Sequence, residues 1–265
     1  MATVDSQAEI GALLREWRKR RRLTQLELAL DAGISARHLS FVETGRSRPS
    51  AEMVLLLAER LEVPFRERNR LLLAAGYAPA FPERALADPE LAPVREALDL
   101  ILTAHEPYPA LVVDRRWNII AANSATVALA EWLDPALLDP PNNMQHVARR
   151  LVPLIVNLAE VRSYFVERLQ RQAAITGDDG LNVLARELSE YPIAGEGSKA
   201  ISEAAARGIL LPVRLRDPDG GELSLFGTIA TFGTAIEVTT SELSIESFFP
   251  ADAATAETLQ RLPRR

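Results

Sequence analysis

Residues 24–48 read TQLELALDAGISARHLSFVETGRSR, and the rest of the chain is organised around them. The stretch divides into two short helices with a tight turn between them. Thr24 is a good first cap, because its hydroxyl can accept from an unpaired N–H of the first turn. Leu26, Ala29 and Leu30 fall at helical spacing and are expected to form the inward face. Gly33 ends this helix, since glycine enters the left-handed region at little cost. Ile34 is then expected to fill the space between the helices. Ser35 caps the second helix, 36–42, whose inward face is Leu39 and Val42. Arg37, His38, Ser40 and Phe41 are left facing outward.

Cap, Ala, Gly, apolar, cap is the pattern of a helix-turn-helix, a motif whose second helix fits a DNA major groove. The stretch resembles the repressor-type helix-turn-helix of phage repressors and bacterial xenobiotic-response-element regulators. The resemblance rests on Gln25, Leu28, Ala29, Gly33, Ile34, Ser35, Leu39, Glu43, Gly45, Arg46 and Pro49. It implies double-stranded DNA as partner. It also implies that Ala36, Arg37, Ser40 and Phe41 face base edges, with Ser35 beside them. Arg37 suits either a guanine edge or a phosphate. Phe41 suits either a thymine methyl or the core. Gln25, Thr44 and Arg46 match phosphate-contacting positions. Glu43 closes an apolar helix and needs a partner; the resemblance implies Arg18. A helix pair serving only protein contacts is the alternative.

The charge distribution agrees with this reading. The 265 residues carry a net charge of −6, which by itself argues against nucleic acid. Residues 1–76 are net +3 and residues 77–265 net −9, and the stretch 15–48 alone is net +5. Positive charge is thus concentrated where phosphate contact is expected. The length suits two domains, and 48% hydrophobic residues suit a folded chain. No apolar run approaches the roughly 20 residues a membrane helix needs, so no membrane insertion is expected. The start, MATVDSQAEI, lacks the basic and apolar regions of a secretory signal. Cysteine is absent, which excludes disulfides and thiolate chemistry and fits a cytoplasmic setting.

Working outward, Ile10, Leu13, Leu14 and Trp17 form the stripe of a first helix over 7–22. Its end, Arg18 to Arg22, is either a solvated terminus or a phosphate contact. Ser50 caps a fourth helix, 51–61, and Pro64 opens a fifth that Gly76 closes. Residues 1–77 are therefore expected to be an all-α, five-helix DNA-binding domain. The proline-rich stretch 78–93 reads as a stiff linker or an irregular crossing. From 94 to 265 the character changes to α+β. Short strands are expected at 110–113 and 117–121. Helices follow at 123–133, 146–150, 155–174 and 181–190. Then ILLPVRLRD and ELSLFGTIATF flank the turn signal PDGG. AIEVTT and ELSIESFF are expected to add two more strands, and DAATAETLQRL a closing helix.

This order is that of a PAS-like domain with an antiparallel sheet. VVDRRWNIIAANSATVALAEWL and LFGTIATFGTAIEVTTSELSIESFFPAD resemble the opening and the final strands of the sensor domain of MmyB-like regulators. The resemblance implies a transcription regulator whose C-terminal domain binds an apolar small molecule, a fatty acid or similar lipid, with no other cofactor. Val161, Phe165, Phe226, Ile229 and Phe232 are the expected wall, each of them equally suited to plain core. A buried carboxylate needs a cation; Arg162, beside Val161, is the choice, with a surface ion pair as its other reading. One helix-turn-helix contacts few base pairs, so a homodimer on a palindromic operator is expected.

Enzyme chemistry is not expected. His38, His105 and His146 lack metal-ligand spacing, and no G-x-S-x-G elbow is present. FGTIATFG lacks the lysine of a phosphate loop. No catalytic or metal residues are assigned. The alternative is a C-terminal domain that serves only dimerisation or a protein partner, without ligand.

Overall fold

The computed structural model describes residues 2–140, 143–190 and 211–263. The chain divides into two compact units, the first holding the residues up to Arg84 and the second most of those from Ala85 onward.

Five helices build the first unit: α1 (Ala2–Arg20), α2 (Gln25–Asp31), α3 (Ala36–Glu43), α4 (Ala51–Arg60) and α5 (Phe65–Ala74). Thr24, Ser35 and Ser50 cap α2, α3 and α4, accepting from the N–H groups of Glu27, His38 and Met53. Each such cap stabilises by about 1 kcal/mol. The core joins Ile10, Leu14 and Trp17 to Leu28, Leu39, Val42, Leu57 and Leu71. One expected face is corrected. Leu26 and Leu30 are 59% and 71% exposed, while Leu28, Ala29 and Ala32 point inward. Helical spacing fits either stripe. The packing of α2 against α3 and α4 selects the second.

The chain after α5 does not leave at once. The Tyr77 hydroxyl donates to the Pro49 carbonyl at 3.0 Å. The Asn69 side chain accepts from the N–H groups of Ala80 and Phe81 and donates to the Phe81 carbonyl. The Phe81 ring stacks on Phe65 with centroids 4.4 Å apart. The start of the proline-rich stretch is therefore fastened to α5.

The second unit opens with a single 3-10 turn, Pro89–Leu91, and α6 (Ala92–Ala104). Its sheet contains β1 (Ala110–Val113), β2 (Ile119–Ala122), β3 (Val213–Arg216), β4 (Glu222–Thr231) and β5 (Ser244–Pro250). All neighbours are antiparallel, in the order β2-β1-β5-β4-β3. Between β2 and β3 lie α7 (Ser124–Leu133), α8 (Met144–Leu151), α9 (Leu158–Thr176) and α10 (Asp179–Glu190). The closing helix is α11 (Ala253–Arg261). All four residues of β1 are buried, as a central strand requires, whereas β2 alternates between half-buried and exposed as an edge. On one face of the sheet Val112 and Ile245 pack against Leu98 and Leu102 of α6. The alternate residues Leu111 and Phe248 face the other side.

Three expectations change. AIEVTT is not a strand: Val238–Ser241 forms one helical turn. Adjacent Glu237 and Val238 are both buried while Ile236 is 82% exposed, a pattern that strand alternation forbids. Second, β2 begins at Ile119 rather than at 117, because Trp117 adopts φ 62° to complete a turn. The Asp114 carboxylate holds that turn by accepting from the N–H groups of Arg116 and Asn118. Third, α9 begins at Leu158 rather than 155, because Ile155 bridges to Leu215 and the Val156 N–H donates to the Arg214 carbonyl at 2.8 Å.

Candidate functional site

The first site is the outer face of α3. Its placement depends on one carboxylate. Glu43, with its side chain 1% exposed, accepts from Arg18 Nε at 2.6 Å and Nη2 at 2.8 Å. Gln25 Nε2 donates to the same carboxylate at 2.8 Å. Three helices thus converge on Glu43. Its hydrogen bonds hold the Arg18 pKa above the ordinary arginine value, against the opposing effect of burial. The resemblance-based pairing of Arg18 with Glu43 is present. At the start of α2, Thr24 and Glu27 form a capping box, and the bonds from Thr24 lower the Glu27 pKa.

A further contact went unread in the sequence. Gly11 on α1 lies directly against the end of α3: a Cβ there would meet the Val42 carbonyl oxygen at 2.5 Å. Glycine lets the two backbones approach. The visible signal was a glycine inside an otherwise regular helical stripe.

The structure leaves Ser35, Arg37, Thr44 and Arg46 exposed, and Gln25, Ala36, Ser40 and Phe41 half-buried. Three of these groups have internal duties. The Gln25 amide is bonded to Glu43, and the Thr44 hydroxyl donates to the Ser40 carbonyl at 2.7 Å. Ser35 serves as the cap of α3. Phe41 does not enter the core cluster; Arg37 and Arg46 lie over its ring. Arg48, by contrast, donates to the Ala75 carbonyl and covers Tyr77, so its role is structural.

The second site lies within the second unit, between the sheet and helices α7 to α10. It is a cavity of about 490 Å³, within the range usual for small-molecule sites. Val161, Phe165 and Leu169 of α9 face Leu111, Leu225 and Phe248 of the sheet across it. Arg162 is the one charged residue among the described residues that line it, and its Nη1 donates to the Ser189 carbonyl at 3.3 Å. The cavity thus brings Val161, Arg162 and Phe165 together.

Phe226, Ile229 and Phe232 lie outside the cavity, contrary to expectation. Side chains alternate along a strand, so Phe226 points away from Leu225 and stacks on Phe249 at 5.3 Å. Phe232 packs with the α6 cluster, and Ile229 is 46% exposed. The sequence reading missed the wall given by α8. Met144, Val147, Ala148 and Leu151 line the cavity at i, i+3, i+4, i+7 spacing, a stripe legible in the sequence. Trp117 also lines it, with the Arg168 guanidinium 4.6 Å from its ring centroid. Arg168 is bound to the buried Glu246 at 2.5 Å, so its charge is already neutralised.

No helix among the described residues is long and apolar enough to cross a membrane, and no group of three His, Asp or Glu among them is placed to hold a metal ion.

Comparison with known proteins adds family membership. Residues 94–262 match the family described as the MmyB-like transcription regulator ligand binding domain, and residues 14–68 match a helix-turn-helix family. The HTH-type transcriptional regulator RghRB of Bacillus subtilis is 36% identical over 103 residues. That alignment covers 38% of this chain and 66% of the relative, just under two thirds of its length. Among solved structures, the clp gene regulator ClgR from C. glutamicum is 28% identical over 27% of this chain and 88% of its own, with a TM-score of 0.24. The restriction-modification controller protein C.AhdI from Aeromonas hydrophila is 32% identical over 23% and 94%, with a TM-score of 0.23. With a helix-turn-helix domain at its N-terminus and the matched ligand-binding domain spanning more than half of its length, the chain belongs to the MmyB-like transcription regulators.

Proposed function

We propose that the protein binds a palindromic operator as a homodimer in the cytoplasm and changes its DNA affinity on taking up an elongated apolar molecule with one anionic group, a fatty acid or similar lipid. The observation that carries the ligand class is the cavity, whose described wall is apolar side chains with one cation, Arg162. An apolar cavity holds water poorly and favours an apolar occupant. A carboxylate inside it needs an opposite charge. Among the described lining residues Arg162 is the cation that could meet it. A domain serving dimerisation alone has no need of such a void.

Occupancy can shift the DNA-binding equilibrium only by the difference in ligand affinity between two states. The test is denaturing extraction of the purified full chain followed by mass spectrometry, together with thermal melting in added long-chain fatty acid. A recovered lipid is expected. At 100 times its Kd a ligand stabilises by about 2.7 kcal/mol, which is several degrees of melting temperature. Arg162→Leu should reduce the shift for the acid while leaving that for the matching fatty alcohol. No extracted lipid and no shift with any long-chain acid would replace this reading by dimerisation alone.

A further inference from the structure

We infer that Phe41 is the positioning residue of the DNA face, a platform on which Arg37 and Arg46 are held before DNA arrives. The inference rests on the DNA-binding reading above. The Arg37 guanidinium lies 5.4 Å from the Phe41 ring centroid and that of Arg46 lies 6.0 Å from it. Both are within the roughly 6 Å over which a cation is attracted to an aromatic face. Arg37 reaches the ring because it lies one turn earlier on α3, at i, i+4 spacing. Arg46 reaches it from the loop after α3, and that loop is itself tied to Phe41. The N–H groups of Arg46 and Ser47 donate to the Phe41 carbonyl at 2.8 and 3.1 Å. One residue therefore fixes the loop through its carbonyl and both guanidiniums through its ring.

The physical gain is pre-organisation. A free arginine loses much rotamer freedom when it grips a base or a phosphate. A ring that already restricts it removes part of that loss and so strengthens binding without a contact of its own. A polar residue at position 41 would be one more base reader. Phenylalanine leaves the reading to Arg37 and the phosphate grip to Arg46. Both arginines are exposed, so the attraction is modest and the expected effect is a few-fold change in affinity.

The experiment uses the full-length protein. A binding sequence is first selected from a pool of randomised duplex DNA. Binding is then titrated on that sequence, on its single-base variants and at several salt concentrations. The proteins are wild type, Phe41→Leu, Phe41→Tyr, Arg37→Ala, and a form with pentafluorophenylalanine at position 41. The last keeps the ring's shape and reverses its quadrupole, so it tests the platform even if Phe41→Leu unfolds. Phe41→Leu and the fluorinated ring should each weaken specific binding about two- to fivefold. Both should flatten base preference at the position that Arg37→Ala flattens. Phe41→Tyr should restore wild-type behaviour, and Phe41→Leu should have little further effect in the Arg37→Ala background. Unchanged base preference with the fluorinated ring overturns the platform alone. A wild-type protein that enriches no sequence overturns the DNA-binding reading and the platform with it.

Discussion

Glu43 shows how much one buried carboxylate can decide. It is bonded by Arg18 and Gln25 and lies at the last turn of α3, so it fixes the outer face of that helix against α1 and α2. Taking ions out of water is costly, and removing one partner of a buried pair strands the other. Glu43→Ala should therefore cost about 3–5 kcal/mol. Hydrogen exchange of the full chain should show protection falling across α1 to α3 while the sheet of the second unit is unchanged. A loss below about 0.5 kcal/mol, as at an ordinary surface site, would show that the pair contributes little. That Glu43 needs a partner was legible beforehand, because an acid among apolar residues needs a cation; that the partner is Arg18 was implied by the family resemblance. The second partner, Gln25, was read instead as a phosphate contact. Its position in the sequence fits both duties, and only the direction of its amide separates them.

At the scale of elements, the contact between α1 and α3 runs through Gly11. On helix propensity alone, Gly11→Ala should stabilise α1 by about 1 kcal/mol. The added methyl would instead stand 2.5 Å from the Val42 carbonyl oxygen, and the obstacle is backbone that cannot turn aside. We expect Gly11→Ala to destabilise the helical domain by about 1–3 kcal/mol, as overpacking does, and to weaken DNA binding by displacing α3. Chemical denaturation followed by tryptophan fluorescence from Trp17, which lies in the same core, reads the first effect. A rise in stability would show that α1 can move away without loss. The same scale explains the misplaced Phe226 of β4. Strand type and boundaries followed from composition and turn residues. The face presented by Phe226 followed from the register of β4 with β5, where it lies opposite Phe249.

At the scale of the molecule, the cavity is the feature that no single element contains. Its wall draws on the sheet and on α7 to α10 together. Filling it should separate stability from sensing. Val161→Phe places a larger apolar side chain into the void from α9. The melting temperature without ligand should hold or rise, because buried apolar area grows without a polar group losing a partner. The shift caused by long-chain fatty acid should shrink or vanish in calorimetry of the full chain. An undiminished shift would mean that the acid binds elsewhere.

The sequence by itself determined the helix-turn-helix, its caps, the turn at Gly33, the type of nearly every element and the order of an antiparallel α+β domain. These depend on local chemistry: a hydroxyl that caps its own helix, a glycine that tolerates positive φ, an apolar period of 3.6 or 2. Only the tertiary structure decided which stripe of α2 faces inward, why glycine stands at position 11, and why AIEVTT curls into a helical turn rather than a strand. It alone also separated the wall residues Val161, Arg162 and Phe165 from Phe226, Ile229 and Phe232. The reason is the same in each case. Periodicity says that a face exists, but the neighbour that covers it is distant in sequence, and a void is defined by what fails to meet across it.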